Sequence, residues 1–151
     1  MSYPYSPLKS ESGRGVNPLA SCMPVGQKLI VLIVDDNRDA AETLAMLIKA
    51  AGHRVLTAYD ASAGLQLARD ESPNIIFHDI GMPTINGYTA ARKLRSESQF
   101  AKTILVAVTA YARGVDREQA LLAGFDFHLA KPLEYADLLQ LLEHAKKSNG
   151  P

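Results

Sequence analysis

The chain has 151 residues, enough for one domain with a single sizeable core, and its 16 basic side chains balance 16 acidic ones. A formal charge of zero argues against direct nucleic-acid binding, which needs an excess of Lys and Arg. A single cysteine, Cys22, excludes an internal disulfide and fits a reducing compartment, and no apolar run approaches the length of a bilayer span.

Residues 1–27 are rich in Ser, Pro and Gly and show no apolar period, so they read as a flexible extension outside the fold. Within them Leu19-Ala20-Ser21-Cys22 resembles a lipoprotein cleavage box. That signal requires a continuous apolar segment just before it, and Arg14, Gly15, Asn17 and Pro18 stand there instead. The folded part is expected over residues 28–147, followed by a short tail, 148–151.

From Leu29 onward, apolar strands alternate with amphipathic helices. Leu29 to Val34 is the first strand. The helix from Asn37 to Ala51 carries Ala40, Ala41, Leu44, Leu47, Ile48 and Ala51 on one face and stops at Gly52. Arg54 to Ala58 is a shorter second strand, more polar and so placed on the sheet edge. Asp60 reads as the N-cap of a helix reaching Arg69 or Asp70, with Leu65 and Ala68 inward. Ile75 to His78 is the third strand, and Gly87 to Ser96 a helix with Ala90, Ala91 and Leu94. Ile104 to Val108, nearly all apolar, is a fourth strand buried on both faces. A helix from Val115 to Ala123 stops at Gly124, Phe127 to Leu129 is a short fifth strand, and the last helix runs from Glu134 to about Lys146. Its inward residues are Leu138, Leu139, Leu141 and Leu142. Five such units with short joins make a doubly wound α/β domain around a parallel sheet.

The chemistry gathers at the strand exits, where ligands bind in open α/β sheets. The first strand ends in Asp35-Asp36 and the third in Asp79, and buried acids are costly unless something there needs their charge. Three converging carboxylates call for a cation. Oxygen ligands with open positions suit Mg²⁺, whereas His and Cys lack the spacing of a zinc site. The fourth strand exits into Thr109-Ala110 and the fifth into Lys131-Pro132. A carboxylate nucleophile, a divalent cation, a hydroxyl and an ammonium form a phosphoryl-transfer constellation.

With these pieces in place, Val34-Asp35-Asp36, Asp79 with Met82-Pro83 and Gly87, Val108-Thr109-Ala110, and Lys131-Pro132, the chain resembles the receiver domain of two-component response regulators over about residues 28–147. The resemblance implies a flavodoxin-like (βα)5 fold with strand order 2-1-3-4-5. Asp79 is then the acceptor of a phosphoryl group from a phosphohistidine, on a sensor histidine kinase or a histidine phosphotransfer protein. Asp35, Asp36, Asp79 and the backbone carbonyl of Gly81 hold Mg²⁺, and Thr109 and Lys131 bind phosphoryl oxygens. The Lys131–Pro132 bond is expected to be cis. The protein is a cytoplasmic switch rather than a turnover enzyme, limited to accepting and losing its own phosphoryl group. It signals by partner binding through the fourth helix, fifth strand and fifth helix, or by onward phosphotransfer.

One feature departs from the family's commoner pattern, and two further positions bear on its behaviour. The position of the threonine's rotamer partner, usually aromatic, is His128, whose charge adds a pH variable. Tyr111 lies two residues past the threonine and Gly81 two past Asp79, positions that bear on how long the phosphoryl group lasts. His78 adjoins the phosphoacceptor, but strand alternation points it to the opposite face, as a packed histidine. Three rival functions are weighed. A haloacid dehalogenase-type phosphatase would space its two acids by one residue on the first strand, whereas Asp35 and Asp36 are adjacent. A flavin-binding domain would meet repulsion between its phosphate and those acids. A phosphorylation-independent interaction module would have no use for the intact site.

Overall fold

A computed structural model describes residues 5–7, 28–81, 87–109 and 117–148. Its strands are β1 (Tyr5–Pro7), β2 (Ile30–Val34), β3 (Arg54–Ala58), β4 (Ile75–Asp79), β5 (Ile104–Thr109) and β6 (Phe127–Ala130). Between and after the last five run α1 (Arg38–Ala50), α2 (Ala61–Glu71), α3 (Gly87–Arg95), α4 (Arg117–Ala123) and α5 (Tyr135–Ser148). The sheet order is β1-β6-β5-β4-β2-β3, so the five expected strands, now β2 to β6, keep the order 2-1-3-4-5 with the polar strand β3 at one edge. All pairings among these five are parallel.

Every residue of β4 and β5 is buried, because helices cover both faces of a parallel sheet. Alternation sorts the strand residues into two cores. Val31, Ile33, Phe77, Val106 and Leu129 pack under α1 and α5, where Leu138, Leu141 and Leu142 meet them. Leu32, Val34, Ile76 and Leu105 pack under α2, α3 and α4.

The helix starts follow from their caps. Asn37 accepts the Ala40 N–H at 3.1 Å and Asp60 accepts the Ala63 N–H at 2.7 Å, each meeting one of the donors that a first turn leaves unpaired. On α1 the buried face is Ala41, Leu44, Ala45 and Ile48, while Leu47 and Ala51 pack at its margin. Gly87 opens α3 against the backbone of β4's exit: a Cβ there would stand 2.5 Å from the Cα of Ile80, so only glycine lets the helix approach this closely. A turn of 3-10 helix, Ser98–Phe100, was not expected and seats the fully buried Phe100.

One guanidinium joins three elements. Arg95 donates to the carbonyls of Gly124 at 2.9 Å and Phe100 at 2.7 Å, and to the carboxylate of Asp126 at 2.7 Å. The φ of Gly124 is +110°, a left-handed value that favours glycine at the end of α4.

The amino end of the sheet is closed by side chains that act as acceptors for strand N–H groups. His53 Nδ1 takes the Leu29 N–H at 3.1 Å, Asn74 Oδ1 takes Ile30 at 2.8 Å, and Asp126 Oδ2 takes Leu105 at 3.0 Å.

The extension differs from its sequence reading at one point. Tyr5–Pro7 is not outside the fold but adds an antiparallel edge strand to β6, with Tyr5 opposite Leu129, Ser6 opposite His128 and Pro7 opposite Phe127. Without it β6 would present a row of open backbone donors and acceptors, which any extended segment can fill. Proline, having no N–H, is tolerated at such an edge. Cys22 lies outside the described residues.

Candidate functional site

The carboxyl ends of β2, β4, β5 and β6 meet on one side of the sheet. Asp35 follows β2 directly, and its N–H still bonds the Ala58 carbonyl at 3.0 Å, so strand pairing holds it in place. One of its oxygens accepts the Asn37 N–H at 3.0 Å. Asp79 ends β4 and accepts the Gly81 N–H on Oδ1 at 2.8 Å, while Asp36 beside it is exposed. An oxygen from each of Asp35, Asp36 and Asp79 lies within 4.8 Å of the others.

Lys131 reaches in from the exit of β6. Its N–H bonds the Thr109 carbonyl at 2.8 Å, its peptide bond to Pro132 is cis, and its Nζ lies 2.8 Å from Asp35 Oδ2 and 3.6 Å from Asp79 Oδ2. Thr109, buried at the end of β5, pairs with Ala130 across the ladder.

The electrostatics are those of a site short of positive charge. Burial pushes the Asp79 carboxyl above its usual 3.8 and the charge of Asp35 adds to that, outweighing the Gly81 N–H and Lys131, which act to lower it. Burial alone would lower Lys131, but the Asp35 hydrogen bond and the two carboxylate charges hold it above 10.5. One ammonium shared between two buried carboxylates, with a third beside them, leaves room for a further cation. All the donors are oxygens, which fits a hard divalent ion and does not fit zinc.

The profile of the response regulator receiver domain matches residues 31–143. The chain belongs to the response regulator receiver family. Protein PilH of Pseudomonas aeruginosa is 31% identical over 112 residues, which are 74% of this chain and 93% of that protein. Among solved structures, the chemotaxis protein CheY4 of Vibrio cholerae is similar with a TM-score of 0.74 and 25% identity, covering 79% of this chain and 99% of that one. The receiver domain of the sensor histidine kinase PA1611 of Pseudomonas aeruginosa gives 0.71 and 29%, over 78% and 97% of the two chains; it was crystallised with a magnesium ion in its active-site cleft. The chain is therefore a phosphorylation-controlled signalling domain of the two-component type, and the family match does not favour the phosphatase or the flavin-carrier reading.

Within this receiver, the residues singled out in the sequence fall where the strand ends place them. Asp35, Asp36, Asp79 and Lys131 come together, and Thr109 and Gly81 adjoin them. Met82, Pro83, Ala110 and Tyr111 lie outside the described residues. His78 is buried on the opposite face from the acids, as alternation requires, and its Nδ1 bonds the Asp79 carbonyl at 3.0 Å, which makes Nδ1–H the donor. Burial lowers its pKa from 6.5. His128 is buried on β6, paired with Ala107 on one side and Ser6 on the other.

Two features beside the acids were not foreseen. A cleft of about 520 Å³ opens between α1 and the turn after β6, lined by Asp39, Thr43, Leu44, Leu47 and Leu133 together with the acids and Lys131. The available signal was Asp39 and Thr43, four apart on α1 and just past Asp35. Arg38 also stacks over the Tyr59 ring at 4.1 Å, joining α1 to the exit of β3.

Proposed function

We propose that Asp79 is the phosphoacceptor, taking a phosphoryl group from a phosphohistidine of a sensor histidine kinase or histidine phosphotransfer protein. The observation that carries this reading is the geometry of one carboxylate. Asp79 Oδ1 is anchored by the Gly81 N–H, while Oδ2 faces Lys131 at 3.6 Å. A carboxylate oxygen attacks phosphorus as the N–P bond of the donor breaks, the bonding pair goes to the ring nitrogen, and a donor ring protonated on its other nitrogen leaves as neutral imidazole. Lys131 pairs with the phosphoryl oxygens, and the Thr109 hydroxyl donates to one of them. Asp35, Asp36, Asp79 and the Gly81 carbonyl are the groups that would hold Mg²⁺. When bound, the ion neutralises charge on the carboxylates and on the transferred oxygens. Hydrolysis of the acyl phosphate by water returns the resting state, so turnover is limited to the protein's own phosphoryl group.

The phosphorylated form draws Thr109 toward the site, and His128 moves with it as the switch residue, shifting a two-state equilibrium. Partners read that shift on the face made by α4, β6 and α5, where Leu121, Leu122 and Tyr135 are exposed. The lone cysteine and the two-component chemistry support a cytoplasmic location. Acetyl phosphate with Mg²⁺ is expected to label the protein once, and Asp79→Asn to abolish the label, because an amide cannot attack. Undiminished label in that variant would move the phosphoacceptor elsewhere.

A further inference from the structure

The outer edge of β6 is occupied by the chain's own Tyr5–Pro7. α4 packs in the core on one face of the sheet and α5 in the core on the other, and β6 is the strand between them on this side. A strand laid along the free edge of β6 therefore runs through the middle of the α4–β6–α5 face. It also places Ser6 directly opposite His128, at the centre of a three-pair ladder. We propose that the β6 edge is a strand-docking surface held at rest by Tyr5–Pro7, and that this strap opposes the phosphorylated state. The proposal rests on the reading of that face as the output surface.

The physical argument starts from backbone groups. An edge strand accepts any extended segment, with main-chain hydrogen bonds supplying the affinity. Three pairs, one of them lacking a donor at Pro7, make a weak ladder. Residues 8–27 tether it, so its local concentration is high enough for weak pairing to hold. A strap of this strength closes the edge against chance partners yet can be displaced. His128 lies at the middle pair, so any change in its position during the switch is felt by the ladder. Conversely, a ladder that favours the resting position of His128 makes the phosphorylated position harder to reach. By linkage the two effects are equal. A partner that adds a strand to β6 would have to displace Tyr5–Pro7 first.

The test uses the full chain and Tyr5→Pro/Ser6→Pro, which removes two N–H donors without shortening the tether. Amide exchange of the β6 residues that face the edge should become at least tenfold faster in the variant, with β4 and β5 unchanged. A synthetic peptide spanning residues 1–10 should restore the protection in trans. Unchanged exchange would overturn the docking surface. In parallel, a beryllofluoride titration with Mg²⁺ should reach half-saturation at a threefold or greater lower concentration in the variant. Equal affinity would overturn the opposition between strap and switch. Failure of beryllofluoride to bind either protein would instead overturn Asp79 as phosphoacceptor, and the exchange measurement would still decide the strap.

Discussion

The two ends of the sheet use polar groups in opposite ways. At the amino end His53, Asn74 and Asp126 each receive a strand N–H, so these three side chains close backbone bonds. At the carboxyl end Asp35, Asp36 and Asp79 crowd together with one lysine between two of them, and burial raises the pKa of Asp79 from its usual value. The first end is arranged so that the folded chain leaves little unsatisfied. The second keeps unrelieved charge, and that charge is what makes it reactive toward cations and phosphoryl groups. Substitutions at the two ends should therefore differ in sign.

The largest effect is expected at the amino end. Asn74→Ala strands the Ile30 N–H beside a core strand and should cost about 1–3 kcal/mol, read as a lower denaturation midpoint with an unchanged slope. An unaffected midpoint would remove the contrast. At the carboxyl end, Asp36→Ala should leave the metal-free protein as stable as before or slightly more so, because a repelling charge is gone. A metal titration should show Mg²⁺ affinity lowered by roughly tenfold, about 1.4 kcal/mol. Unaltered affinity would exclude Asp36 from the cation site.

Asp79→Asn sharpens the same point with a pH axis. A carboxyl whose folded pKa is raised binds its proton more readily in the folded state than in the unfolded one. Its stabilising contribution is present at low pH and is lost as pH rises through the raised value. Metal-free wild type should thus lose stability from acid to neutral pH relative to the variant, and at pH 7 the variant should be the more stable. The smallest effect belongs to His53. Burial, and then the charge of Lys146, lower its pKa from 6.5, against an opposing contribution from Glu143. The unfolded state then binds the extra proton first. Stability is complete above about pH 6.5 and declines as pH falls from there to the lowered value. His78 adds to the decline in the same direction, so His53→Gln should flatten the pH dependence of the denaturation midpoint only in part.

Arg54–Ala58, more polar and only partly buried, was legible mainly by its place between two helical patterns. The stretches from Leu29 to Val34, Ile75 to His78 and Ile104 to Val108 were legible because each is a nearly unbroken apolar run that gives way to a polar residue, and burial leaves little else such runs can be. The acids were legible for the same reason: a carboxylate at the exit of a buried strand contrasts with everything before it. Lys131 and Thr109 were readable only jointly, since either alone could end a strand. Tyr5–Pro7 was not readable, because it joins the sheet through backbone groups that every residue type carries, and Tyr-Ser-Pro shows no period. The cleft beside α1 escaped for a related reason. Its walls are ordinary helix residues, Thr43, Leu44 and Leu47, and the space between elements is not written in any one of them.

The Arg95 clasp has a mechanical consequence. It grips the chain at Gly124, immediately after α4, and at Asp126, just before β6. Any displacement of α4 that keeps these bonds is a pivot about its carboxyl end, with the guanidinium as fulcrum. Seven residues make a lever arm of about 10 Å, so a swing of roughly ten degrees carries Arg117 about 2 Å while Ala123 hardly moves. Motion is thereby concentrated at the end of α4 nearer Thr109 in sequence, and the core residue Ala123 keeps its packing throughout.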